Sequence, residues 1–260
     1  MRVILNADDY GHTREANEGI RLSFEQGYCT QASLMTNFGE ITDEAVAMAK
    51  DHGFDDRLGL HINLTAGLPL SEEMRNLPLY VHNGSFINPH SPMYKSKIHK
   101  VLPLHISTLR DEMRKQIEKY LSYDLTMMHC DCHYSIQQDL PVWIALCPLL
   151  KEYGFKTFRG LLYKISYSRP FQFYTGLLDL SYSFFHGPRA DIAVNVKGFK
   201  KYSQKKDLRN SVVELYSHPV CKDGVLIDNY TYGMRMHETI GQFLQDHKDS
   251  IDIITYKDLL

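Results

Sequence analysis

The sequence predicts an α/β protein, in the form of a variant (β/α) barrel that resembles a TIM barrel. Two observations predict this class. Apolar strand patterns alternate with helical patterns from the first residues onward, which is typical of a parallel sheet or barrel. The strand predicted at residues 57–65 also has one polar face, which includes His61 and Asn63. A strand covered by helices on both sides would be apolar on both faces, so this pattern favours a barrel interior.

The chain begins with an apolar strand, residues 2–7, that leads directly into Asp8 and Asp9. Successive strand residues point to opposite faces, so both carboxylates can reach one site only if the chain turns there. Gly11 permits such a turn. We therefore expect both acids at the carboxyl end of the strand, where α/β proteins build their sites. The equal alternative is a capped turn in which one Asp begins a helix.

The remaining elements follow from hydrophobic periodicity and from glycine and proline stops. Helices are predicted at 13–27, 43–52, 107–121, 141–153 and about 231–246, and further strands at 30–37, 127–134, 155–159, 211–219 and 251–256. Residues 66–105 contain five prolines and are predicted to form a long loop insertion. The aromatic segment 161–200 favours a core or an oligomer interface, and with it a homodimer, over a substrate platform. Residues 1–260 contain no linker and are predicted to form a single domain.

Composition excludes several classes of partner. The 29 Lys and Arg residues nearly balance the 31 Asp and Glu residues, so neither nucleic acid nor an anionic membrane is an expected partner. The five cysteines contain no CxxC pair and do not form a disulfide framework, which fits a reducing cytoplasm. No charged leader and no apolar run of about 18 residues is found, so a cytoplasmic location is expected.

Three predicted strands carry polar side chains on alternate positions, and together they contribute His61, His133 and His218. A single histidine is more often structural, but this repetition favours a shared site. Two imidazoles and one carboxylate of the Asp8–Asp9 pair are a ligand set for a zinc-like or other divalent ion. Such an ion lowers the pKa of bound water. The remaining carboxylate is then a candidate general base, and the remaining histidine a candidate general acid.

Three further residues are candidate supporting groups. Asp131 and His129 share the predicted face of His133 and are candidates for fixing its tautomer. Arg159 ends the strand predicted at 155–159, and it would pair with the base carboxylate and favour its ionised form. An ordinary salt bridge is the equal alternative for Arg159.

The chain resembles the YdjC-like carbohydrate deacetylases in four ordered blocks. These are LNADDYG at the start, LGLHINLTAGLP from Leu58, HCDCH from His129 and ELYSHP from Glu214. The helix DEMRKQIEKY and the closing IITYKDL are weaker matches. The resemblance runs from Met1 to about Leu259, with an interruption between roughly residues 161 and 205.

The resemblance implies a variant (β/α) barrel that removes the N-acetyl group of N-acetylated sugars, such as chitin oligosaccharides, with a divalent metal (Mg or Zn). By matching positions it implies Asp9, His61 and His133 as metal ligands and Asp8 as the base. His218 is implied as the acid by analogy with the wider polysaccharide deacetylases. The division of roles between the two aspartates rests on the same analogy.

The third block departs from the family pattern. Family members usually continue it as H-x-H-x-H, whereas this chain reads His133-Tyr-Ser-Ile-Gln137. The two missing histidines are predicted to face the sugar pocket beside His133, so the substrate is expected to differ from chitobiose, or the activity to be lower. A metal-assisted hydrolase of another amide or ester, and a catalytically impaired sugar-binding protein on the same scaffold, are the two alternative functions.

Overall fold

A computed structural model describes residues 1–88, 105–160, 169–182 and 187–260. The described helices are α1 (Arg14–Glu25), α2 (Glu40–Asp51), α3 (Glu72–Arg75), α4 (Ile106–Leu121), α5 (Leu140–Glu152), α6 (Arg169–Tyr182), α7 (Val196–Ser203) and α8 (Ile240–His247). None of them, within these ranges, is long and apolar enough to cross a membrane.

Thirteen strands lie in the described ranges. They are β1 (Arg2–Tyr10), β2 (Gln31–Leu34), β3 (Leu58–Ile62), β4 (Val81–His82), β5 (Ser85–Phe86), β6 (His129–Cys132), β7 (Thr157–Phe158), β8 (Ile192–Val194), β9 (Val212–Ser217), β10 (Pro219–Lys222), β11 (Val225–Asp228), β12 (Met234–Arg235) and β13 (Asp252–Ile254). In this part of the chain, eight of them form one sheet, in the order β7-β6-β3-β2-β1-β9-β8, with β13 also pairing with β1.

Every pairing in the main sheet is parallel. The predicted α/β class and parallel sheet are therefore confirmed, and the sheet is curled as a half-barrel. Closure into a full barrel stays a prediction, because β7 and β8 do not pair in the described residues. The organisation of residues 1–260 as one domain also stays a prediction.

The core explains why these segments form these elements. Strands β1 and β3 are buried along almost their whole length, with Val3, Leu5, Leu58 and Leu60 among their apolar side chains. Helix α4 buries the stripe predicted from its periodicity, which consists of Leu109, Met113, Ile117 and Tyr120. Burial of apolar surface at about 25 cal/mol per Å² is the main term that stabilises this packing.

Several predicted bounds were wrong. A helix was expected over about 231–246, but only Ile240–His247 is an α-helix. Tyr232 and Gly233 have positive φ angles of 61° and 75°, which a right-handed helix cannot contain. The chain there forms a 3-10 turn and the short strand β12 instead.

Two segments in which no helix or strand was predicted also contain regular structure. The expected loop at 66–105 includes α3 and a β4–β5 hairpin that turns at Asn83 and Gly84. The expected aromatic segment at 161–200 includes α6, β8 and the start of α7. Residues 89–104, 161–168 and 183–186 lie outside the described residues, so the predictions that fall on them are untested.

Candidate active site

All six predicted site residues lie at or just beyond the carboxyl ends of parallel strands. Asp8 and Asp9 lie near the end of β1, and His61 is the second-last residue of β3. His133, Arg159 and His218 each directly follow a strand, namely β6, β7 and β9. Because parallel strands place their carboxyl ends at one edge of the sheet, residues far apart in sequence meet there.

An irregularity in β1 brings both aspartates to this edge. Asp9 has a positive φ of 71°, and the pairing of β1 with β2 shifts register between Ala7 and Tyr10. Gly11 follows with a φ of 83°, and a Cβ atom there would lie 2.7 Å from the carbonyl oxygen of Met35. The expected turn is thus present, and the positive φ angles of both Asp9 and Gly11 form it.

Arg159 lies at the centre of the buried charges. Its Nη2 donates to Asp8 Oδ1 at 2.6 Å and its Nη1 donates to Asp8 Oδ2 at 2.8 Å. Its Nε donates to Glu214 Oε1 at 2.7 Å, and its Nη2 lies 2.7 Å from Asp131 Oδ2. Burial lowers the pKa of Arg159, but these three carboxylates outweigh it and hold the pKa above its ordinary value. One guanidinium therefore links side chains from three strands.

His61 is oriented by Asp131, its register partner on the neighbouring strand β6. His61 Nδ1 lies 2.6 Å from Asp131 Oδ1, and Ser33 Oγ donates to Asp131 Oδ2 at 2.6 Å. Burial lowers the pKa of His61, but the Asp131 carboxylate outweighs it and raises the pKa well above its usual value. This pair leaves His61 Nε2 directed towards Asp9 Oδ1, at 3.3 Å.

His133 is held by different groups from those expected. Its Nδ1 lies 2.7 Å from Thr65 Oγ1 and 3.3 Å from Asn63 Oδ1. Asp131 therefore orients His61, and no contact of His133 with Asp131 or His129 is seen in the described residues. His129 instead lies 3.0 Å from Thr157 Oγ1 and stacks on the ring of Tyr256. Burial lowers the pKa of His133 to about 4, so its imidazole is neutral at pH 7.

His218 lies across the site from the two other histidines. Its Nε2 is 3.9 Å from Asp8 Oδ2 and 4.0 Å from Asp9 Oδ2, too far for a hydrogen bond. Its backbone N–H donates to Asp228 Oδ1 at 3.1 Å. The β10–β11 hairpin, which starts directly after His218, carries this aspartate back to the site.

Buried polar atoms that lack a partner indicate where an ion would fit. Asp9 Oδ1 and His61 Nε2 are buried and form no hydrogen bond in the described structure. His133 Nε2 lies 3.7 Å from the same Asp9 oxygen. Burial raises the pKa of Asp9, but the imidazoles of His133, His61 and His218 outweigh it and keep the pKa below its ordinary range. One carboxylate oxygen and two imidazole nitrogens suit a zinc-like divalent ion.

A second cluster could also hold a metal ion. Single ligand atoms of Asp8, His61 and Asp131 lie within 4.8 Å of one another. However, Asp8 and Asp131 already accept hydrogen bonds from Arg159, Asn6 and Ser33. A cation there would compete with a guanidinium, so we favour the open side of His61, towards Asp9.

Sequence reasoning missed some of the residues that support the site. Asn6 donates to Asp8 Oδ1 at 2.6 Å and Tyr256 donates to Glu214 Oε2 at 2.5 Å. Asn6 lies two positions before Asp8, and this alternation is a signal that could have identified it. Tyr230 stacks on the ring of His218. Tyr230, Ser33 and Tyr256 offer no such signal, because they reach the site only through the fold. The loss of alternation after Cys132, where a 3-10 turn begins, also contradicts the expected common face for residues 133, 135 and 137.

Comparisons with known proteins agree with this architecture. A carbohydrate deacetylase from Clostridium beijerinckii is 35% identical over 154 residues, which is 59% of this chain and 58% of that protein. Carbohydrate deacetylase 1 from Listeria innocua is 28% identical over 266 residues and covers 100% of both chains. The relative from Vibrio parahaemolyticus, also a carbohydrate deacetylase, is 26% identical and covers 90% of this chain and 84% of its own. The first of these alignments thus spans less than two thirds of the relative's length.

A solved structure from Enterococcus faecalis V583, named a "putative cellobiose-phosphate cleavage protein", has the same fold. It superposes with a TM-score of 0.70 at 18% identity and covers 99% of this chain and 98% of its own. The model of the YdjC-like protein family matches residues 2–240. With nearly the whole chain matched, this protein belongs to the YdjC-like family.

Proposed function

We propose that this protein is a carbohydrate deacetylase that hydrolyses the acetamide of an N-acetylated mono- or oligosaccharide with a divalent metal, Mg or Zn. The observation that carries the proposal is the unpartnered pair Asp9 Oδ1 and His61 Nε2, 3.3 Å apart and buried at the carboxyl edge of the sheet. The curated relatives named carbohydrate deacetylase support the reaction class.

Asp9, His61 and His133 would hold the ion. When bound, the ion supplies Lewis-acid activation of water and of the acetamide carbonyl. His61 must lose a proton at Nε2 to act as a ligand, and its hydrogen bond to Asp131 keeps the ring oriented while it does so. His133 is already neutral at pH 7, because burial lowers its pKa to about 4.

Asp8 is the proposed general base. Its carboxylate is fixed by Arg159 and Asn6 and cannot rotate freely. A carboxylate oxygen has a second lone pair, so Oδ2 can still accept a proton from attacking water. A fixed base does not need to be reoriented at the moment of reaction, which lowers the entropic part of the barrier.

His218 is the proposed general acid. A gap of about 4 Å separates its Nε2 from the nearest carboxylate oxygens of Asp8 and Asp9, so acid and base border the same part of the site. Catalytic hydrogen bonds are often long before substrate binds, so this gap is compatible with the role. The acid would protonate the departing sugar amine while Asp8 accepts the proton of the water.

The test is release of acetate from N,N′-diacetylchitobiose and N-acetylglucosamine by metal-loaded protein. We expect a chelator to abolish release and added metal to restore it. Asp8→Asn should lower kcat by a factor of roughly 10³ or more, since its loss removes the base. Thermal unfolding of Asp8→Asn would separate this loss from misfolding, and unchanged acetate release by a folded Asp8→Asn would refute the assignment.

Metal-replete wild-type protein that releases acetate from none of a panel of N-acetyl sugars would refute the deacetylase itself. Hydrolysis of simple esters or lactams in that panel would favour the other amide or ester hydrolase. Sugar binding without release of acetate over hours would favour a binding protein.

A further inference from the structure

Two partly exposed tyrosines flank the histidines of the site. Tyr134 directly follows His133, and their rings meet edge to face with centroids 4.4 Å apart. Tyr230 stacks on His218, with centroids 5.0 Å apart and an interplanar angle of 23°. Tyr134 is 44% exposed and Tyr230 is 55% exposed. Each tyrosine therefore presents aromatic surface to solvent directly beside a site histidine.

The backbone at Tyr134 is held in an unfavourable conformation. Tyr134 and Ser135 have φ angles of 52° and 53°, in the left-handed region that bulky residues rarely occupy. Two such residues in succession cost about 1–2 kcal/mol each, and backbone strain of this kind is concentrated at ligand sites. His133 lies 3.7 Å from one carboxylate oxygen of Asp9 and His218 lies 4.0 Å from the other, so the tyrosines beside these two histidines border the same site.

Asp228 holds Tyr230 beside His218. Its Oδ1 accepts from the backbone N–H of His218 at 3.1 Å and from that of Tyr230 at 3.2 Å. The backbone N–H of Asn229 donates to the carbonyl oxygen of His218 at 2.9 Å. The carboxylate of Asp228 is itself buried. The end of the β10–β11 hairpin is thus bonded to His218, and these backbone hydrogen bonds hold the ring of Tyr230 beside it.

We propose that Tyr134 and Tyr230 form an aromatic platform on which a pyranose ring of the substrate stacks. This inference rests on the proposed deacetylase function and identifies the residues that bind the sugar ring. One face of a pyranose carries mainly C–H groups, which pack against aromatic rings, while its hydroxyls stay hydrated. A sugar on this platform would have its acetamide beside the unpartnered atoms of Asp9 and His61.

The test compares Tyr134→Ala and Tyr230→Ala with Tyr134→Phe and Tyr230→Phe. On whichever of N-acetylglucosamine and N,N′-diacetylchitobiose the wild type hydrolyses faster, each Ala variant should raise KM about tenfold or more with a much smaller change in kcat. Each Phe variant keeps the ring and should stay within about twofold of wild type. The matched control is Tyr232→Ala. Tyr232 is 92% exposed and directly follows the 3-10 turn Asn229–Thr231, which contains Tyr230. This variant should leave KM unchanged.

Titration calorimetry with the same two sugars separates this inference from the proposed function, because it needs no turnover. If wild type releases acetate and the Ala variants, correctly folded by circular dichroism, keep their KM, the platform is refuted and the deacetylase stands. If wild type releases no acetate, the proposed deacetylase function is refuted, and the titration alone then tests the platform. Binding that is lost in the Ala variants and kept in the Phe variants supports the platform. No binding by wild type, or equal binding by all variants, overturns it.

Discussion

The guanidinium of Arg159 binds the carboxylate of Asp8 through two parallel hydrogen bonds, at 2.6 and 2.8 Å. Both side chains are almost fully buried. This bidentate geometry fixes the orientation of the carboxylate more firmly than a single bond would. Arg159 also reaches Glu214 and Asp131, so one guanidinium lies among three buried carboxylates. Arg159 is thus paired with Asp8 in the structure, and the role of Asp8 as base stays a proposal.

Arg159→Met should strongly destabilise the protein, because it leaves Asp8 and Glu214 buried without their cation and removes one of the partners of Asp131. Removal of one partner of a buried ion pair typically costs about 3–5 kcal/mol. Urea unfolding would measure the change in the free energy of unfolding. The control is Arg209→Met, which breaks an exposed ion pair with Asp207 and should cost less than about 1 kcal/mol. Equal losses in both variants would contradict a central role for Arg159.

Asp9→Asn and Asp131→Asn should distinguish the two arrangements that could hold metal. If Asp9 is a ligand, Asp9→Asn should nearly abolish binding of Zn²⁺ measured by titration calorimetry. Asp131→Asn should then weaken it only about 10–100-fold, as loss of a group that orients a ligand does. The reverse ranking would place the ion between Asp8, His61 and Asp131, against our proposal.

Glu214 should make stability depend on pH. Burial raises its pKa from 4.5 to about 7, although the contact with Arg159 lowers it. Between these pH values the folded protein keeps a proton that the unfolded chain has lost. The contribution of Glu214 to the free energy of unfolding therefore falls as the pH rises from 4.5 to 7, by about 3 kcal/mol in total.

Glu214→Gln removes this titration. The unfolding free energy of the variant minus that of wild type should increase over the same pH window, as measured by urea unfolding at several pH values. Glu73→Gln, at an exposed position, is the control for the loss of a carboxylate outside the buried network. Parallel curves for Glu214→Gln and wild type would show that the carboxyl does not titrate in this range.

Gly19→Ala should displace the β10–β11 hairpin, and so affect the site, although Gly19 itself lies outside it. A Cβ atom at Gly19 would lie 2.5 Å from the backbone of Val220, so α1 packs directly on the β10 strand. Alanine favours a helix by about 1 kcal/mol over glycine. The clash should nevertheless destabilise the protein by about 1–3 kcal/mol and lower kcat/KM, because the displaced hairpin carries Asp228.

Gly176→Ala in α6 is the matched control for this change. Apart from the backbone of α6 itself, no atom of the described residues lies within 4 Å of the position that its Cβ would occupy. This variant should keep its activity and gain up to about 1 kcal/mol of stability in thermal or urea unfolding. A Gly19→Ala protein that is also stabilised would show that the hairpin adapts without cost.

The main elements could be predicted because their patterns are local. The stripe of α4 and the apolar positions of β1, β3 and β9 recur with the period of a helix or a strand, and burial selects that period. The helix expected at 231–246 failed because two left-handed residues interrupt it, and periodicity carries no information on φ. The homodimer, the native metal and the sugar remain predictions from the sequence.

The sequence by itself determined the parallel α/β class and the set of polar residues at the ends of its strands. Such residues can be identified from one strand at a time, since alternation is a property of a single segment. Only the tertiary structure decided which of them are partners. Asp131 orients His61, and not His133, because β3 and β6 pair with these two residues in register. Tyr230 reaches His218 because a hairpin returns the chain, and register and chain reversal both depend on contacts between distant segments.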